Sequence, residues 1–270
     1  MTNLLHPFGT PSLDALSSRR AALRQTGKLG LGAAIAAVPF LTAPSAQAQA
    51  SDDGDFAVLN YALTLEYLER SFYRQAVDSG NIPAGPRALF TTLRDDEAAH
   101  VLLLRGAISQ AGGTPVQYTD DDFAFGDFID SYGGIATLAQ GLEDTGVRAY
   151  KGQATAIMNK DYLDVALRIH SVEARHAAAI RRLTESQGST QGWIPGRQPS
   201  APAPIAPVYG PGNGFPAEDN VTQGGVDLAA ALSGYSRERI TEAFDEGLDM
   251  DTVNGIAGQF ITGQEGDGAN

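Results

Sequence analysis

Cysteine occurs nowhere in this chain of 270 residues. Its absence excludes disulfides, iron–sulfur clusters and thiolate metal ligands. Carboxylate and imidazole are left as the strong metal ligands. Histidine is scarce as well, with four in the chain, and basic residues are outnumbered, 19 Lys and Arg against 32 Asp and Glu, for a net charge of −13. A surface of that sign repels nucleic acid and anionic lipid. No basic patch, glycine-rich phosphate loop or nucleotide fingerprint stands against it, so no nucleic-acid partner is expected. Long hydrophobic runs are also lacking, with the one exception of Leu29 to Ala43.

That run follows Ser18-Arg19-Arg20-Ala21-Ala22-Leu23, a twin-arginine signature, and precedes the small-x-small motifs Ala46-Gln47-Ala48 and Ala48-Gln49-Ala50. It is rich in Gly and Ala, contains Pro39, and falls short of the roughly 20 apolar residues of a comfortable membrane span. Residues 1–50 therefore read as a cleaved export signal of the Tat type rather than an anchor. The expected location is periplasmic or secreted, with no membrane span in the mature chain. Four of the 19 basic and one of the 32 acidic residues fall in this segment, so the remainder, 15 basic and 31 acidic, carries a net charge of −16.

What is present is a repeated motif. Glu-x-x-His occurs as Glu97-Ala-Ala-His100 and again as Glu173-Ala-Arg-His176, each inside a long helical pattern. Residues i and i+3 share a helix face, so each motif offers a carboxylate and an imidazole to one point. Four helical stretches are expected, at about 55–79, 86–112, 134–158 and 161–187. Their inner stripes are Leu59, Leu63, Glu66, Arg70, Tyr73; Phe90, Leu93, Glu97, His100, Leu104, Ala107; Ala139, Glu143, Gly146, Tyr150, Ile157; and Ala166, Ile169, Glu173, His176, Ile180, Leu183. Every stripe carries a glutamate where an apolar residue is the norm. A buried carboxylate without a partner costs several kcal/mol. Four glutamates that converge with two histidines are another matter, because two divalent cations supply four positive charges against four negative ones.

Short turns join the first helix to the second and the third to the fourth, which makes each pair antiparallel. About 20 residues separate the second from the third, enough to reach about 60 Å when extended. A helix of 25 residues is only about 38 Å long. One long crossover between two hairpins is therefore expected.

The chain resembles the ferritin-like superfamily, the bacterioferritin and rubrerythrin group in particular. Leu59-Asn60-x-x-Leu63-x-x-Glu66 is similar to the bacterioferritin first-helix motif that ends in a ligand glutamate. The resemblance implies an all-α, ferritin-like four-helix bundle over residues 51–187, with one long crossover between helices 2 and 3. It implies that Glu66 and His100 bind one metal, Glu143 and His176 the other, and that Glu97 and Glu173 bridge the two. The export signal, the Ala/Pro/Gly tail and a closing segment with Phe244-Asp245-Glu246 look like exported bacterial ferritin-like proteins, some labelled desiccation-related. The acidic crossover and a tail of some 80 residues depart from cage-forming ferritins and argue against a 24-subunit shell. The lack of Cys-x-x-Cys excludes a rubredoxin-type centre.

Other residues carry weaker signals. Glu69 reads as solvated in preference to a further ligand. Asp96 and Asp144 either hydrogen-bond the ligands or face water. His170 reads as a boundary residue. Tyr67, Tyr73 and Tyr150 read as packing rather than as radical quenchers. The acidic run Asp120, Asp121, Asp122, Asp127 and Asp130 reads as a solvated loop, since its spacing does not fit an EF-hand. Residues 188–225 are expected to be an extended linker without a core, and 226–270 a tail with short helices, one capped by Ser236 and one by Asp249 or Asp251.

The expected function is oxidative or desiccation stress defence by an exported protein with two iron ions, acting on O₂ or peroxide. Manganese is the alternative metal, in a catalase-like enzyme. The competing class is a non-catalytic envelope protein that metals staple together. A homodimer is compatible with either.

Overall fold

A computed structural model describes residues 49–184, 192–194, 196–197 and 201–262. The expected export signal lies outside them, but for Gln49 and Ala50. Four long helices dominate: α1 (Gln49–Asp78), α2 (Ala84–Gln110), α3 (Tyr132–Gln153) and α4 (Lys160–Thr184). Local chemistry sets their ends. Pro83 precedes α2, and Pro86 sits in its first turn, where a missing N–H is harmless. Past the end of α2, Gly112 turns the chain with φ of 90°. Ser131 caps α3 by accepting from the Gly134 N–H at 3.1 Å.

Helix α3 stops at Gln153, five residues short of the expected Met158. The reason lies on α1. The fully buried carboxylate of Asp55 accepts the N–H groups of Met158 and Asn159, both at 2.8 Å. Those amides would otherwise bond back into α3. Asp55 thereby fixes the α3–α4 turn against the start of the bundle.

Helices α1 and α2 pack as one antiparallel hairpin and α3 and α4 as a second, with α1 against α3 and α2 against α4. The crossover runs the length of α1, and its contacts progress in order. Asn60 holds Thr114 and Val116, Arg70, Ser71 and Arg74 hold Asp120, Gln75 reaches both Asp120 and Phe123, and Asn81 holds Ile129. Two expectations change here. Arg70 does not face the core but the crossover, where it meets Asp120 at 3.2 Å. Asp120 is not solvated either, because two arginines of α1 pin it down, and Phe123 and Phe125 beside it are buried.

The stretch 201–225 also differs from a coreless linker. Ile205, Val208, Tyr209 and Ala217 are buried, a 3-10 turn spans Ala206–Tyr209, and a short antiparallel hairpin pairs β1 (Thr222–Gln223) with β2 (Val226–Asp227). Beyond it come α5 (Leu228–Ala231), α6 (Arg237–Thr241) and α7 (Met250–Ala257). Ser236 caps α6 and Asp249 caps α7. The stretch folds because the outer face of α3 gives it somewhere to bind. At Gly141 a side chain would collide with Ile205, and at Gly152 with the Leu248 carbonyl. Between them Arg148, fully buried, spreads its guanidinium over the carbonyls of Val208, Gly210, Pro216, Glu246 and Gly247 and pairs with buried Glu218 at 2.8 Å. The tail is strapped to α3. Among the described residues, no helix is long and apolar enough to cross a membrane.

Truncating Arg148 would orphan five carbonyls and leave the Glu218 carboxylate buried without its cation. Arg148→Ala is expected to destabilise the protein by about 3–5 kcal/mol, read from denaturant unfolding. A loss within experimental error of zero would mean that the strap is peripheral to stability.

Candidate metal centre

Each long helix delivers its part of the site on the inner face. Glu66 comes from α1, Glu97 and His100 from α2, Glu143 from α3, and Glu173 and His176 from α4. The four glutamates are 0 % exposed, and the two histidines 8 % and 6 %. They form two groups that share two members. Glu66, Glu97, His100 and Glu173 make one, and Glu97, Glu143, Glu173 and His176 the other, with candidate ligand atoms in each group within 4.8 Å of one another. Glu97 and Glu173 therefore lie between the two positions.

His100 aims Nδ1 at Glu97 (2.8 Å), Glu66 (3.0 Å) and Glu173 (3.2 Å). His176 aims Nδ1 at Glu97 (2.9 Å) and Glu143 (3.5 Å). The two rings stack with centroids 5.9 Å apart. Several of these approaches are close but off the hydrogen-bond direction. Glu97 Oε1, Glu143 Oε2, both oxygens of Glu173 and His176 Nδ1 are buried without a hydrogen-bond partner. Native interiors leave few such atoms unsatisfied, and here they share a small volume. Lone pairs converging in this way suit divalent cations, and oxygen donors with two imidazoles are a set that iron and manganese both accept. The cluster is compatible with a di-metal site.

The outer oxygens are tied. Tyr150 of α3 donates to Glu66 Oε1 at 2.5 Å, and Tyr73 of α1 donates to Glu143 Oε1. Each tyrosine lies seven residues after the glutamate on its own helix, about 10.5 Å of rise. The reciprocal bonds thus fit only if α1 and α3 are antiparallel. On the far side of His176, Asp96 meets Nε2 at 3.2 Å, which leaves Nδ1 for the site. These are roles beyond the packing expected of the tyrosines. The seven-residue spacing Glu66/Tyr73 and its repeat Glu143/Tyr150 is the signal that could have revealed them.

The remaining candidates sort themselves. Asp144 turns away from the site, toward Arg181 and the Tyr209 hydroxyl at 2.6 Å. Tyr67 packs against Tyr118 of the crossover and under the Arg70 guanidinium. His170 belongs to neither group. Glu69, expected in solvent, is 2 % exposed and sits among the site carboxylates.

Crowding makes the metal-free site hold protons. Burial pushes the Glu97 carboxyl up to about 7, against the lowering pull of its His100 and His176 partners. Burial, then the charges of Glu97 and Glu66, lifts Glu173 well above the carboxylate range. Burial by itself would lower both histidines. The carboxylates of Glu173, Glu66 and Glu97 close about it raise His100 instead, and those of Asp96, Glu143 and Glu97 raise His176. All four shifts favour the protonated form in the folded state, so all act in the same direction on stability. For Glu97 the gain is present below 4.5 and lost as pH rises toward 7; for the histidines it is complete below 6.5 and declines above it. The metal-free protein is therefore expected to melt at a higher temperature at pH 5.5 than at pH 8. Divalent metal, which replaces those protons, should raise the pH 8 melting point more than the pH 5.5 one. Parallel melts with chelator and with metal check this, and equal shifts at both pH values would refute the proton count.

No curated protein matches the chain. The family model for the ferritin-like domain matches residues 54–186, which is the four-helix bundle from the first turns of α1 to just past α4. The succession of long helices over those residues agrees with that match, and residues 54–186 form a ferritin-like domain.

Proposed function

We propose that the protein is a di-metal oxidoreductase that holds two iron ions and oxidises Fe²⁺ or consumes peroxide, with manganese the alternative metal. The observation that carries this reading is the set of buried, partnerless ligand atoms on Glu97, Glu143, Glu173 and His176. Glu66 with His100 would hold one ion and Glu143 with His176 the other, with Glu97 and Glu173 spanning both. Two redox-active ions so held would supply a joint two-electron reduction of O₂ or peroxide.

The chain's own residues prepare the site for that chemistry. Tyr73 and Tyr150 each occupy one oxygen of a terminal glutamate, which turns the other oxygen toward the interior. Asp96 accepts from His176 Nε2 and orients the ring. Leu63, Phe90, Leu104 and Ile180, all fully buried on the inner stripes, keep bulk water from the cluster. The twin-arginine signature supports export, a route that suits a protein folded around its cofactor, and a role in stress defence agrees with that location.

A non-catalytic reading competes, in which the ions only staple the bundle. The strapping of the tail to α3 through Arg148 favours it, since that feature serves cohesion rather than turnover.

The test begins with metal content by mass spectrometry. About two iron or manganese ions per chain are expected, lost in the His100→Ala, His176→Ala variant. O₂ and peroxide consumption then separates the readings. The Glu97→Ala, Glu173→Ala variant should lose metal-dependent turnover; turnover equal to that of the unmodified protein would leave the structural reading standing. A stably folded protein that takes up no metal would refute both.

A further inference from the structure

The tail holds an arm that is folded but buries almost nothing. From Gly224 to Arg239 every residue is exposed except the half-buried Leu228. Local bonds fix its shape all the same. Asp227 caps α5 by accepting from the amides of Ala229 and Ala230, and the Tyr235 N–H reaches back to the Leu232 carbonyl at 2.9 Å. At the base Asn220 and Gln223 both donate to Glu246, and Arg237 donates to the Asp219 carbonyl. A hairpin of two-residue strands with a single helical turn is marginal in water unless a surface covers it. Yet this arm leaves Val226, Leu232 and Tyr235 exposed, Tyr235 at 64 %.

Directly after α6 the same chain forms a recess. Ala243, Phe244 and Asp245 line a cavity of about 110 Å³ together with Trp193, Ile194 and Ala177 of α4. That is room for one branched or aromatic side chain. The two rings of its wall stay partly exposed, Trp193 at 40 % and Phe244 at 38 %. Polar groups match as well. Among the described residues the Asp245 carboxylate has neither hydrogen bond nor ion pair, the Tyr235 hydroxyl has no acceptor, and Arg237 has no carboxylate. A donor and a cation on the arm thus answer an anion in the recess.

We propose that the arm of each copy docks in the recess of a second copy, which makes the chain a twofold dimer. Tyr235 inserts beside Trp193 and Phe244 of the second copy, with its hydroxyl and Arg237 turned to Asp245. Because α6 joins arm and recess directly, both lie on one patch, as a self-complementary contact requires, and reciprocal exchange closes at two copies. At their present exposure the three rings leave roughly 400–700 Å² uncovered in a pair, about half of the apolar share of a standard interface. The contact does not depend on the metal centre.

Sedimentation of the full chain over a range of concentrations tests this, and a mass of two copies is expected. Tyr235→Ala on the arm and Trp193→Ala in the recess should each weaken the dimer about a hundredfold, since each spoils two contacts at about tenfold apiece. Circular dichroism melts accompany each variant, and Phe244→Ala replaces Trp193→Ala if the latter does not fold. An equimolar mixture of Tyr235→Ala and Trp193→Ala copies should regain about tenfold in affinity, because the mixed pair keeps one intact arm in one intact recess. A chain that stays monomeric overturns the proposal, and the arm then serves a different protein or none. A dimer that neither variant weakens, or one that does not recover on mixing, overturns it too.

Discussion

Burying carboxylates in the middle of a helical bundle is the constraint on which the rest of the structure depends. Glu66, Glu97, Glu143 and Glu173 are 0 % exposed, and Glu69 adds a fifth carboxylate at 2 %. Left alone, such a cluster would push the helices apart. Three devices hold it together without metal. Two imidazoles carry protons, Glu97 and Glu173 are themselves driven toward the neutral form, and two tyrosine hydroxyls donate to the outer oxygens. What these devices do not cover are the inner lone pairs, and those point at each other.

The segments outside the four helices answer the same constraint. The crossover clamps α1 through Asn60, Arg70, Arg74, Gln75 and Asn81, and the tail clamps α3 through Arg148, Gly141 and Gly152. These are the two helices that bear the terminal glutamates and the tyrosines. Their antiparallel contact fixes both tyrosine–glutamate bonds, and a slip of one turn would break both. The helices that carry Glu-x-x-His are less enclosed. Of the large apolar side chains exposed on the long helices, Leu102 lies on α2 and Leu167 on α4.

Much of the bundle was legible in the chain because its signals are local. Glutamates at apolar positions of a 3.6-residue period, and two Glu-x-x-His motifs, locate the inner faces without any knowledge of partners. Helix ends were less legible. The end of α3 depends on Asp55, a residue about a hundred positions earlier, whose carboxylate takes the amides that would continue the helix. Arg70 fitted the inner stripe by spacing, yet an aspartate on the crossover draws it outward. The segment with Pro199-Ser200-Ala201-Pro202 looked coreless by composition, and its apolar Ile205, Val208 and Tyr209 acquire a core only because α3 presents glycines and a buried arginine to receive them.

The sequence by itself determined the helix periodicity, the ligand chemistry open to a cysteine-free acidic chain, and the six residues whose faces had to meet. Those follow from spacing and side-chain type, which are properties of a few adjacent turns. Tertiary structure alone decided that Tyr73 and Tyr150 reach across to opposite glutamates, that Asp96 backs His176 while Asp144 turns away, and that Glu69 is inside. A helix has room for the same glutamate facing water or facing a neighbour. Which it does is settled by the space the facing helix leaves, and at Gly146 that space is open.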